Sequence, residues 1–185
     1  IGDDDDFKQA RLQLNRLKAA DKFAVLFNID HATAHELSSN LTFNINKYGR
    51  IKNVLSSSGK HLSSFRLGDG GLSLNNAGAV EIFSRRRRQL PTQFCATDIN
   101  PYSGEGLAII VVDSDAEPFV RKGRNVFHGF TVACDPWLRP GEACLICNES
   151  GDLIGHGVSQ CTANEVLAMK KGVAVKTRDG IKLED

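Results

Sequence analysis

Three short groups in this 185-residue chain have the residue types and spacing to do chemistry. Cys144-Leu-Ile-Cys147 has the interval of a metal or redox pair, but it sits in Ala143-Cys-Leu-Ile-Cys-Asn148, which reads as a buried strand. Side chains three apart on a strand point to opposite faces, so the two sulfurs would not share an ion, and no second pair at zinc spacing exists. His31 and His35 stand at i and i+4 of a helical stretch and would face one metal, yet no third ligand beyond the adjacent Glu36 suggests itself. Gly68-Asp-Gly-Gly71 offers backbone amides to a phosphate, but it lacks the GxxxxGK[ST] pattern and joins two strands, which makes it a tight turn. With no Ser/His/Asp or Cys/His constellation either, the chain is expected to hold no catalytic centre, metal or cofactor.

The remaining chemistry is cationic. Net charge is +1, which alone points to no polyanion. Residues 1–106 carry 14 Lys and Arg against 11 Asp and Glu, and residues 107–185 carry 9 against 11, so any nucleic-acid contact must rest on local clusters. Arg85, Arg86, Arg87 and Arg88 are the most basic point. Four successive guanidiniums repel one another and would gain from a polyanion, or they belong to a solvated linker; spacing does not separate these readings. The five cysteines are odd in number and lack a disulfide framework, as reduced thiols in a cytoplasmic protein would. No run approaches a membrane span and no signal pattern opens the chain. The chain starts at Ile1, which leaves open whether it is a piece of something longer.

These groups need elements to position them. Phe7, Ala10, Leu14 and Leu17 recur at helical spacing behind the acids Asp3 to Asp6, predicting an amphipathic helix from about Asp6 to Ala20 with a solvated acidic start. A second helix is expected around His31 to Leu37. Strands follow at Leu41 to Ile45, Ile51 to Leu55, Leu62 to Leu67 and Leu72 to Leu74, separated by turns at Tyr48-Gly-Arg50, Ser56 to Gly59 and Gly68 to Gly71. Asn75 to Phe83 returns to helical spacing. Residues 1–105 are thus expected to form a small α+β unit, with a linker from about residue 85.

From residue 106 the rhythm changes. Strands are predicted at Leu107 to Val112, Asn125 to Ala133, Ala143 to Asn148, Leu153 to Val158 and Val173 to Thr177. A short helix spans Asp115 to Lys122, with Pro118 in its first turns. Thr162-Ala-Asn-Glu165 has the capping-box spacing and opens another helix that ends at Lys170-Lys-Gly172. Gly155 and Gly157 mark a sharply curved strand. Five strands and two short helices in under 80 residues make a small β-barrel. The fold class is therefore α+β: a helix-and-antiparallel-sheet unit followed by a barrel.

Ala116 to Phe127 resembles the first helix and glycine turn of the PUA family, and Asp135 to Glu142 its loop into a buried strand. Asp152 to Val158 and Met169 to Arg178 resemble its later strands and closing helix, so residues 106–185 are identified as a PUA domain. Glu117 to Phe127 and Lys171-Gly-Val-Ala-Val-Lys176 further resemble the C-terminal region of archaeal tRNA-guanine transglycosylase and its relative archaeosine synthase. Upstream, Ala20-Asp-Lys-Phe23, Lys47 to Ile51, Phe65 to Leu72 and Asn76 to Ala79 resemble the small domain that precedes PUA in those enzymes, with Ala24 where the family has glycine.

The resemblance implies RNA contact by Arg121, Lys122, Arg124 and Asn125 at the glycine turn, and by Lys170, Lys171, Lys176 and Arg178 beside it. Phe127 and Trp137 are candidates for stacking on bases or for core positions. Arg85 to Arg88 complete the candidate set. The family's catalytic TIM barrel and zinc motifs have no counterpart here. The implied role is a tRNA-binding accessory subunit or fragment in archaeosine biosynthesis, gripping the acceptor stem and 3′ end for a separate catalytic TIM-barrel transglycosylase subunit. Two alternatives stand beside it: a free-standing PUA protein acting in translation or on ribosomes, and a fragment of archaeosine synthase.

Overall fold

A computed structural model describes residues 2–85 and 107–183. Helix α1 (Gly2–Phe27) leads into α2 (His31–Ser38), whose N-cap Asp30 accepts from the Thr33 amide at 3.0 Å. Strands β1 (Thr42–Ile45), β2 (Ile51–Leu55), β3 (His61–Phe65) and β4 (Leu72–Leu74) form an antiparallel meander in that order. Helix α3 (Asn76–Ser84), capped by Asn75, closes the unit. These elements match the expected order, but α1 runs seven residues past Ala20.

The longer helix corrects the expected core face. Phe7, Leu14 and Leu17 are 64%, 50% and 47% exposed, whereas Ala19, Ala20, Phe23 and Phe27 are buried against α2 and the sheet. The early apolar stripe was read as the inward face because only that stripe fits a helix ending at Ala20. The Phe23–Phe27 turn carries the larger buried side chains and decides which face packs.

The second unit comprises β5 (Ile109–Val112), α4 (Glu117–Val120), β6 (Val126–Phe127), β7 (Thr131–Cys134), β8 (Ala143–Asn148), β9 (Leu153–Ser159), α5 (Ala163–Ala168) and β10 (Val173–Gly180). The strands form one sheet in the order β6-β10-β9-β8-β5-β7, curled into a nearly closed barrel, with β5 and β8 parallel and the other pairs antiparallel. The single strand expected over Asn125 to Ala133 is two strands separated by a 3-10 turn at His128–Phe130. Apolar content could not reveal that break, because Gly129 and Phe130 fit either conformation. The capping box forms as read: Thr162 and Glu165 satisfy each other's amides.

Strand β8 explains how the units join. Cys144 and Ile146 point into the barrel interior with Ile110, Val120 and Ile154, while Leu145 and Cys147 lie in the other core with Phe23, Val54 and Ile82. The two cysteines thus occupy opposite faces, as strand geometry requires. Burial raises the pKa of the Cys144 thiol and pushes that of Cys134 up to about 12, so both are poor nucleophiles. One hydrophobic core is shared between the first unit and the outer face of the barrel sheet. Polar latches reinforce it: Arg66 donates to the Gly141 carbonyl at 3.0 Å and Arg139 to the Val25 carbonyl at 3.2 Å.

A buried polar junction lies at the same seam. His156 Nε2 donates to Asn76 Oδ1 at 2.9 Å, and Asn76 Nδ2 donates in turn to Asp179 Oδ2 at 3.0 Å. Burial holds His156 below its ordinary pKa, opposed in part by the charge of Asp179.

Candidate nucleic-acid interface

The end of α4 builds the site. Gly123 is at φ +80°, its amide donates to the Val120 carbonyl at 2.8 Å, and the Arg124 amide reaches back to the Phe119 carbonyl at 3.0 Å. This is a Schellman closure, which requires a left-handed residue after the helix and so calls for glycine. Its consequence is geometric: Lys122 and Arg124 flank the glycine, and both are exposed.

Asn125 then fixes the turn to the barrel, because its Oδ1 accepts from the Thr177 amide at 3.2 Å. Strand β6 pairs with β10, and the 3-10 turn is anchored by the His128 amide donating to the Gly172 carbonyl at 3.1 Å. Val126 and His128 are buried, so the residues between and after them turn outward. Phe119, Phe127 and Phe130 are 61%, 46% and 43% exposed. With Ala116, Lys122, Arg124 and Asn125 they surround an open hollow of about 510 Å³. Exposed aromatic faces beside free cations are a site for unstacked bases and their phosphates.

Other candidates fall nearby or elsewhere. Lys170 and Lys171 are exposed in the loop after α5, where the Lys170 carbonyl lies against Gly129 of the 3-10 turn. Lys176 and Arg178 are exposed on β10 on either side of Thr177. Arg121 has a different place. Its side chain is only 13% exposed, its Nη2 and Nε pair with Glu117 at 2.7 and 2.8 Å, and its Nη1 donates to the Ile181 carbonyl at 2.8 Å. Glu117 also accepts from Asn148 at 3.1 Å. Arg121 ties α4 to the last strand and is not aligned with the exposed cations.

Trp137 packs against the barrel core beneath the Arg139 guanidinium, 4.4 Å from its ring centroid. Arg85 ends α3 and pairs with Glu36 at 3.2 Å; Arg86, Arg87 and Arg88 lie outside the described residues. Phe119 and Phe130 are the site residues that sequence reasoning missed. Phe119 carries a weak signal, since it adjoins the buried Val120 on a helix of one turn, which leaves it facing out. Among the described residues no helix is long and apolar enough to cross a membrane.

A family profile described as the PUA domain matches residues 108–181. The tRNA-guanine(15) transglycosylase of Thermococcus onnurineus is 36% identical over 123 residues, covering 66% of this chain and 18% of that protein. The enzyme of the same name from Methanocaldococcus jannaschii is 33% identical over 135 residues, covering 73% of this chain and 18% of that protein. This chain therefore spans about a fifth of the length of these relatives, and each alignment is longer than the PUA match, so it takes in residues outside it. A hypothetical protein from Pyrococcus horikoshii shares the fold with a TM-score of 0.61 at 13% identity, covering 92% of each chain. Residues 108–181 are thus a PUA domain, in a chain homologous to part of the archaeal tRNA-guanine(15) transglycosylases.

Proposed function

We propose that this chain is the tRNA-gripping part of a transglycosylase system, binding RNA at the hollow between Phe119, Phe127 and Phe130 and leaving base exchange to a catalytic partner. The observation that carries this reading is the hollow itself: three exposed phenylalanines with Lys122 and Arg124 on the Schellman turn, in a chain related to tRNA-guanine(15) transglycosylases. The bases of an RNA helix are hidden in its deep, narrow major groove, so aromatic faces at the surface suit a single-stranded end, while neighbouring cations suit the adjoining stem. Lys170, Lys171, Lys176 and Arg178 extend the basic surface along the strand that Asn125 ties to the turn.

The physical logic is anchoring. Binding energy gained at the acceptor stem and 3′ end orients a distant loop of the same tRNA for a reaction elsewhere, which raises the rate without any catalytic group here. A guanine-exchange assay tests this. The chain alone is expected to exchange no base, and to accelerate exchange by a barrel-bearing transglycosylase that lacks its own PUA domain. Exchange by that enzyme at the same rate with and without this chain would contradict the reading. Co-purification with ribosomal subunits in place of such an enzyme would favour a role in translation.

A further inference from the structure

Helix α1 is apolar on two opposite faces. One face packs inward through Ala19, Phe23 and Phe27. On the other, Phe7, Leu14, Leu17 and the small Ala10 are exposed, and all four are spaced 3-4-3, the a and d positions of a heptad. A helix this apolar on its outer side is incomplete as a monomer surface.

We propose that this stripe pairs with the same stripe of a second copy, antiparallel, to form a two-fold symmetric dimer. The spacing is self-complementary about residue 12. In antiparallel register Phe7 meets Leu17 of the other copy and Ala10 meets its Leu14, so every seam layer is apolar and each a position faces a d position, with small Ala10 accommodating the larger Leu14.

Charge selects the same orientation. The first turn is acidic, with Asp4, Asp5 and Asp6 exposed; Lys18 and Lys22 follow the stripe. The antiparallel arrangement brings Asp4 of one copy beside Lys18 of the other, on the flank that also carries Lys22. A parallel pair would set the acids against each other and Lys18 against Lys18. Lys18 makes no ion pair among the described residues, whereas Asp4 already shares Lys8 at 2.7 Å. Asp21, the next seam position, ends the apolar run, so the seam has four layers. Such a seam lies at the small end of specific interfaces, and its dissociation constant is expected on the order of micromolar.

Sedimentation equilibrium of the full chain over a concentration series tests this. A reversible rise from 20.2 kDa to twice that mass is expected. Leu14→Glu should weaken association by on the order of a hundredfold, since two substituted residues enter each dimer, with an unchanged unfolding midpoint because Leu14 makes no core contact. Lys18→Glu should also weaken it, and Asp4→Lys added to Lys18→Glu should restore it. A chain monomeric at every concentration would overturn the proposal, as would a dimer indifferent to Leu14→Glu or one that the double charge reversal fails to rescue.

Discussion

Phe127, Lys122 and Arg124 were legible in the sequence because each sits at a motif whose backbone demand is local: a left-handed glycine at 123 and a strand start at 126. Arg121 was not legible, since nothing in Arg121-Lys122-Gly123-Arg124 says that the first cation turns back to Glu117 and the Ile181 carbonyl. The two kinds of cation should separate in experiment. Lys122→Ala and Arg124→Ala should each flatten the dependence of log affinity for tRNA on log salt, by roughly 0.9 per lost duplex phosphate contact, with little change in folding. Arg121→Ala should leave the slope unchanged and instead cost about 2 to 3 kcal/mol of stability, because it strands Glu117 and a backbone acceptor.

His156 supplies a second residue-scale test, and its sign follows from burial. In the folded chain its pKa is lowered, so as pH falls the unfolded chain binds the proton first and stability drops once pH passes below about 6.5. The urea midpoint should therefore fall between neutral and mildly acidic pH. His156→Gln, which keeps a donor toward Asn76 without titrating, should show a smaller fall, and parallel curves for the two proteins would refute the assignment.

At the scale of elements, local rules carried most of the fold. The four-stranded meander, the capping box at Thr162 and the strand Ala143–Asn148 follow from turn residues and apolar runs that nothing distant overrides. What failed was competition between alternatives that local pattern does not rank. Two apolar faces on α1 competed for the core, and the segment 125–133 was continuous in composition but is broken by a 3-10 turn. Strand β9 was read as curved from its two glycines. The structure gives them a reason: a side chain at Gly157 would strike the Lys176 carbonyl of β10, and one at Gly155 would press on the Asp179 carbonyl at 3.0 Å. Gly157→Ala should therefore cost about 2 kcal/mol or more, read as a lowered melting temperature, and it should weaken RNA binding too, because β10 holds Asn125 and the glycine turn. A stable variant with full affinity would show that the strand can give way.

For the whole molecule, the sequence suggested two units with a boundary near residue 105, which lies outside the described residues. It did not suggest that they share a core. Leu145 and Cys147 on one face of β8 pack with Phe23, Val54 and Ile82, while Cys144 and Ile146 fill the barrel. A strand buried on both faces reads as a plain apolar run, so its partners on either side are invisible in the sequence. The central claim is that this joined scaffold holds a single-stranded tRNA end at the hollow between Phe119, Phe127 and Phe130. It is tested most directly by titrating the protein with matched tRNAs that carry or lack the terminal CCA, at one salt concentration. Loss of CCA should weaken binding by on the order of 1 to 3 kcal/mol for each stacked base, beyond what three fewer phosphates explain, and Phe127→Ala should abolish most of that difference. Equal affinities for the two RNAs would contradict the account.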